Sequence, residues 1–377
     1  MKVLVIPSWL PFGEDKLMGI YHKDFTEALN EHKNIKANIL FLYRQRLKNP
    51  LKYLFNEKEE IIKEKNYNIY INKVLNLKSI NYKLNLYYYT KKLEKSYLKY
   101  EEILGKPDII HAHVTLPAGY ASAKLGKKYD IPVLITEHFS KFNSFFEGKN
   151  NKYAMYALKN STYSTVSNYM TEKVGTDCKV IPNLVDTSEF FSSKNKNNTL
   201  KLVSVSALRP GKYIDVTLKA IKILIDKYNI KDISFDIVGD GELMEEYKKL
   251  TTELNLNNYV TFLGRKNIKK DIAKILSNKS ILIISSDKET FSIPGIEALA
   301  SGIPIVSTRC KGPEEYIDDK CGVLCNVNDP EDMAKAIIKC SKTEYNINYL
   351  KSIAKKYDKK VVIENVYKIY KDMLKGK

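Results

Sequence analysis

The chain has 377 residues, 44% of them hydrophobic, more than one domain of ordinary size needs and enough apolar side chain for two cores. No apolar run reaches the roughly 18 residues that cross a bilayer, and five cysteines without a Cys-x-x-Cys pair argue against a disulfide framework or a thiolate zinc site. The formal charge of +18 calls for an anionic partner, although Lys, Asn, Ile and Tyr are abundant together, as in a chain of biased composition.

Met1–Ile6 reads as a strand and not as a secretory leader, so the expected location is the cytoplasm. From there short β-branched runs alternate with longer amphipathic segments, the pattern of α/β units around parallel sheets. In the first half strands are expected at Val3–Ile6, Asn38–Leu42, Asp108–His111, Val133–Thr136 and Ser164–Val166, and helices at Tyr21–Glu31, Pro117–Tyr129 and Asn168–Val174. Residues 41–106 hold 13 Lys and 2 Arg against 7 acidic residues and form a basic region. Within it Tyr82–Leu104 carries apolar residues at helical spacing. Two readings stay open for this segment: a solvated amphipathic helix packed on the first domain, or a contact for an anionic membrane or acidic acceptor.

The polar stretch Ser192–Thr199 reads as a linker. A second series follows, with strands expected at Leu202–Val205, Ser234–Val238, Val260–Leu263, Ile281–Ser285, Ile305–Ser307 and Val323–Leu324. Its helices are expected at Val216–Tyr228, Glu242–Leu254, Ile268–Ser277, Ile293–Ser301 and Pro330–Ser341. Two doubly wound sheets of this kind bind ligands at the carboxyl ends of their strands.

The most informative segment is Ser285–Gly312. An apolar strand ends at Ser285, a polar loop follows, and Ser292 with Pro294 marks a helix start that runs to a stop at Gly302. The N–H groups and dipole of such a start favour a diphosphate. Glu289 lies before the helix and Glu297 within it, and carboxylates suit sugar hydroxyls because they only accept hydrogen bonds.

Here the chain resembles the family 4 retaining glycosyltransferases of the GT-B class, glycosyl transferases group 1, whose hallmark is two glutamates separated by seven residues. Glu289 and Glu297 match it, and Ala298 to Pro304 follow the same pattern. The resemblance implies a GT-B fold of two Rossmann-like domains facing a central cleft, with Glu289 on the donor hexose and Glu297 on the ribose. Phe291, Ser292 and Ile293 at the helix start then join the donor-binding set. Ser204–Asp215 resembles the loop that supplies an Arg and a Lys to the donor diphosphate. Lys212 falls on the lysine; Ala207 occupies the commonest arginine position, leaving Arg209 as the residue within reach. Gly241, in the turn Gly239–Gly241, and Arg265, where the nucleobase pocket begins, complete the donor candidates.

The first half carries fainter signals. Trp9 after the first strand and Met18–Gly19–Ile20 resemble the acceptor-side loop, where Gly19 would let backbone approach the transferred sugar. His113 and His138 follow two strands, as cleft residues do, and His113 matches a position where some family members place a histidine near the reacting carbon. Ile181–Asn183 with Asp186 resembles the interdomain segment. Together these divide the chain into an acceptor-side domain, 1–186, and a donor domain, 187–360, with a C-terminal helix within 361–377 returning to the first.

No Asp-x-Asp occurs, so the acidic metal-binding pair of the other large glycosyltransferase fold is missing and metal-independent transfer, without a cofactor, is expected. The implied partners are a nucleotide sugar, by family frequency a UDP-sugar, and a glycan or lipid-linked acceptor, with an anionic membrane surface for the 41–106 region. An epimerase or phosphorylase on the same fold is the nearest alternative. A nucleic-acid-binding protein is a remote one, because the positive charge does not coincide with any recognisable binding module and no nucleic acid is expected.

Overall fold

The computed structural model describes residues 1–13, 19–45, 59–76, 81–174, 178–193, 199–266 and 269–376. Met18 and parts of the 41–106 region, of the Ser192–Thr199 stretch and of the helix expected from Ile268 lie outside the described residues. The chain divides into two compact units, Met1–Pro182 with Val362–Lys377, and Asn183–Val361.

In the first unit β1 (Lys2–Pro7), α1 (Ile20–Glu31), β2 (Lys36–Gln45), β3 (Glu59–Lys63), β4 (Asn68–Leu75) and α2 (Tyr82–Leu104) come first. Then follow β5 (Ile109–His113), α3 (Tyr120–Tyr129), β6 (Val133–Glu137), α4 (Asn151–Lys159), β7 (Thr162–Thr165), α5 (Asn168–Val174) and β8 (Lys179–Val180). The sheet runs β3-β4-β2-β1-β5-β6-β7-β8, parallel throughout except for the β3–β4 pair. Its inner strands are buried on both faces, as β1 and β5 show, and therefore read as continuous apolar runs.

The helix expected at Pro117 starts instead at Tyr120. Thr115–Gly119 forms a wider turn, with Leu116 outside helical geometry and Val114 at φ 75°. On α2 the buried face is Leu86, Tyr89, Leu93, Tyr97 and Tyr100, joined by Asn85 and Ser96. Asn72 donates from β4 to Ser96 at 2.8 Å and satisfies part of that buried polarity.

In the second unit β9 (Leu200–Val205), α6 (Ile214–Asp226), β10 (Ile233–Val238), α7 (Met244–Glu253), β11 (Val260–Gly264) and α8 (Lys269–Leu276) form one half. The other holds β12 (Ile281–Ile284), α9 (Ile293–Ala300), β13 (Ile305–Thr308), β14 (Gly322–Cys325), α10 (Pro330–Lys342) and α11 (Ile347–Lys355). The sheet is all parallel, in the order β11-β10-β9-β12-β13-β14, the doubly wound arrangement whose direction reverses between β9 and β12. Its core centres on Leu202, Ile221, Phe235, Ile237 and Ile283.

The polar stretch at Ser192 does not separate the units. Residues before it already belong to the second: Val185 donates to Tyr357 O at 3.0 Å, and Asp186 pairs with Lys359 at 2.7 Å. A stretch that cannot bury a core is a surface loop as readily as a linker. The last helix, α12 (Lys359–Lys375), starts in the second unit, and its residues from Val362 onward belong to the first. There Tyr370 is fully buried and bonds His111, while Glu364 and Tyr367 lie against His32.

Candidate active site

In the second unit the loops after β9 and β12 converge where the strand order reverses. Ser285 Oγ donates to Lys212 O at 2.7 Å, and Asp287 N donates to Gly211 O at 3.0 Å, so one side-chain and one backbone donor stitch the two loops. Lys212 Nζ forms an ion pair with Glu289 Oε1, and Ser286 Oγ donates to the same oxygen at 2.7 Å. Lys212 and Glu289 line a small depression with Ser206, Ser286, Ser292 and Pro294.

Glu289 is held in place from behind. Its N–H donates to Cys310 O at 2.7 Å and its carbonyl accepts from Gly312 N at 3.0 Å. A Cβ on Gly312 would lie 2.5 Å from Phe291 N, so glycine is required for this approach. Ser292 precedes α9 with a left-handed backbone and no side-chain cap bond, and Pro294 sits in the first turn. The start of α9 at Ile293 thus opens beside the depression with its N–H groups forward.

The remaining donor candidates scatter. Arg209 is exposed on the β9 loop. Gly241, after β10, packs where a Cβ would meet Leu208 O at 2.3 Å, which explains the glycine without a ligand. Arg265 follows β11, the edge strand. Phe291 is buried, its ring packed against Tyr316 and Tyr357. Glu297 lies further along α9, 7% exposed and outside the residues that line the depression, so the two glutamates do not face one space equally.

In the first unit the strand order reverses between β1 and β5. His113 ends β5 and His138 follows β6, and their Nδ1 and Nε2 atoms are 2.9 Å apart. His111, two residues back on the same strand, bonds Tyr370 Oη at 2.7 Å and Thr136 Oγ1 at 2.8 Å. Burial, followed by the neighbouring histidines, pushes the His113 pKa well below the ordinary value, and burial with His138 brings His111 to about 3. The buried carboxyl of Glu137 is shifted upward by desolvation, while Thr115 and the Phe139 N–H donate to it. Gly19 holds a φ of 87° before α1, and a Cβ there would lie 2.5 Å from Trp9 O.

The sequence reading missed His22, which α1 carries against His113 with ring centroids 4.6 Å apart. Its available signal was a histidine on the face that also buries Phe25, Thr26 and Leu29. Ser286 was also missed, although it lies in the segment that drew most attention.

The family model for glycosyl transferases group 1 matches residues 185–360, and that for glycosyltransferase family 4 matches residues 55–189. The chain belongs to the family 4 glycosyltransferases. Like other glycosyltransferases of this family it is a transferase enzyme built on the GT-B fold. It is 28% identical over 320 residues to an uncharacterized glycosyltransferase of Methanocaldococcus jannaschii, covering 81% of this chain and 86% of that one. It is 30% identical over 173 residues to the UDP-Gal:alpha-D-GlcNAc-diphosphoundecaprenol alpha-1,3-galactosyltransferase of Escherichia coli, an alignment spanning 42% of this chain and 44% of that protein. Among solved structures, Anabaena HepE in complex with UDP superposes with a TM-score of 0.74 over 99% of this chain and all of that one, at 17% identity. Among the described residues no helix of this glycosyltransferase is long and apolar enough to cross a membrane.

Proposed function

We propose that this glycosyltransferase moves a hexose-type sugar from a UDP-sugar to a lipid-linked or cell-surface saccharide, with retention at the anomeric carbon and without a metal or cofactor at the donor. The observation that carries the donor half is the meeting of Lys212 and Glu289 at the strand-order reversal beside the start of α9.

In this reading the diphosphate takes the Lys212 cation and the forward N–H groups of α9, with Arg209 at the rim, and these offset the charge on the departing nucleotide. Glu289, released from Lys212, accepts hydrogen bonds from the sugar hydroxyls. Glu297 and Arg265 serve the ribose and the base. On the acceptor side Gly19 permits close backbone approach, and His113 and His138 are the polar groups at the strand ends. Retention follows from the family resemblance.

UDP is supported by the ligand of the HepE structure and the donor in the Escherichia coli relative's name, and the lipid-linked acceptor by the diphosphoundecaprenol in that same name. The exposed Leu84, Tyr87, Leu98 and Ile103 of α2, set among Lys83, Lys91, Lys95 and Lys99, suit an anionic interface at the cytoplasmic side of a membrane.

Calorimetry with a panel of nucleotide sugars, on the wild type and Glu297→Ala, tests the donor; turnover on lipid-linked and soluble saccharides, with the product anomer assigned by NMR, tests the rest. Binding of one UDP-sugar that weakens in the variant, followed by transfer with retention, supports the reading. No binding by folded protein overturns the donor site, consumption of donor without acceptor points to epimerisation, and elongation of soluble sugars alone removes the lipid.

A further inference from the structure

All five histidines of the chain lie in the first unit, and four of them gather into one cluster. His111 is fully engaged by Tyr370 and Thr136, but the other three are differently placed. His22 is 2% exposed and both its ring nitrogens are buried without a hydrogen-bond partner; His113 is fully buried and its Nε2 likewise has none. Buried polar groups left in this way are rare, because each gives up its bonds to water and gains nothing in return. His138 is only partly buried and gives the cluster an approach from solvent.

We infer that His22, His113 and His138 form a binding site for a single divalent transition-metal ion of the zinc class, one imidazole nitrogen from each. One ligand atom from each residue lies within 4.8 Å of the other two. His113 Nδ1 and His138 Nε2 share a hydrogen bond of 2.9 Å, which an ion taking both atoms would replace, opening them to the roughly 3.4 Å that a tetrahedral ion with bonds of about 2.0–2.1 Å sets between its ligand atoms. The His22 ring, with its centroid 4.6 Å from that of His113 and 5.3 Å from that of His138, closes the set by side-chain rotation. Three imidazoles without a carboxylate select zinc, cobalt, nickel or copper over magnesium or calcium. Burial lowers the His22 and His113 pKa values and so favours the neutral form that ligates. Three protein ligands would leave a fourth position for water or another ligand.

The ion would not be the metal of an acidic pair on a donor diphosphate: the site uses strand ends of the first unit, and Lys212 and Glu289 belong to the second. The inference therefore stands or falls apart from the donor reading.

The test uses the full chain, stripped with a chelator and titrated with Co2+ and Zn2+. One Co2+ per chain, with the visible absorption of a tetrahedral nitrogen-ligated ion and displacement by Zn2+, is expected, and Mg2+ should neither bind nor compete. His22→Gln and His113→Gln should each lower the affinity at least about 10- to 100-fold, the range that loss of an outer partner alone can bring. His32→Gln, outside the cluster, should leave it unchanged. Circular dichroism confirms that each variant is folded, and two independent variants guard against one that is not. No bound ion, an affinity indifferent to His22 and His113, equal binding of Mg2+, or loss of binding on alkylating the cysteines would each overturn the inference.

Discussion

The Lys212–Glu289 ion pair makes a prediction with two opposite signs. Both side chains are mostly buried, 15% and 17% exposed, and Glu289 keeps a second donor in Ser286. A bound diphosphate must draw Lys212 toward itself, so part of its attraction replaces an existing pair. A hydrogen bond to a charged group contributes about 1.5–3 kcal/mol, and its loss without replacement costs as much. Lys212→Met keeps the stem and removes the charge, so UDP affinity should fall by roughly 10- to 150-fold at about 1.4 kcal/mol per decade. Glu289→Gln removes the competitor for Lys212: UDP should bind as tightly as in the wild type or several-fold tighter, while transfer of sugar falls. Calorimetry with UDP and steady-state transfer assays separate the two. If Lys212→Met binds UDP like the wild type, or if Glu289→Gln weakens UDP as much as Lys212→Met does, the cation is not at the diphosphate and the reasoning fails.

Gly241→Ala would set a Cβ 2.3 Å from Leu208 O and push apart the turns joined by Leu208 N to Asp240 O and Leu243 N to Leu208 O. A stability loss of about 1–3 kcal/mol is expected from such overpacking, seen as a lowered denaturation midpoint. Gly376→Ala, where an added Cβ would meet nothing nearer than Asp372 O at 3.7 Å, is the control and should cost less. Burial is the first cause that raises Cys310, Cys321, Cys325 and Cys340 to about 12, so at pH 8 their thiolate fractions are roughly a thousandfold below that of a free thiol near 8.5. Native protein should therefore react with a thiol reagent at Cys178 alone, counted by mass spectrometry, and all five should react after unfolding.

Most strands and helices were legible because their signals were local. Each inner strand is a short apolar run, and each amphipathic helix repeats its buried residues every three or four positions. Most of the elements that escaped carry weaker signals; α11 escaped too, although Asn346 caps it and Leu350, Ile353 and Ala354 form its buried face. β3 has an exposed, charged edge pattern, and β4 alternates with Asn72 and Lys73 inside a basic stretch. β8 has two residues, while α4 buries only Ala154 and Ala157. The site was legible in part for the same reason. A strand, a polar loop and a Pro-marked helix start are contiguous in Ser285–Gly302, whereas the partner of Glu289 lies 77 residues away. The packing of Phe291 depends on Tyr316 and Tyr357, and the exposure of His22 depends on a neighbouring strand end. No window of sequence contains those neighbours.

What the sheet order adds is distance from the reversal. Lys212 and Glu289 follow β9 and β12, the two strands that flank it; Gly241 follows β10 and Arg265 follows β11, one and two strands further out. Neighbouring strands lie about 4.8 Å apart, so Arg265 stands roughly 10 Å from the β9 loop along the sheet. On the proposed reading, an arginine rooted that far out serves the far end of the nucleotide while Lys212 serves the diphosphate. Arg265→Ala should therefore change the preference for uridine over other nucleoside diphosphates and leave the affinity for inorganic pyrophosphate as it was, whereas Lys212→Met should lower both. Competition binding with UDP, GDP and pyrophosphate reads the difference, and an Arg265→Ala protein that loses pyrophosphate and UDP in equal measure would refute the ordering of the site along the sheet.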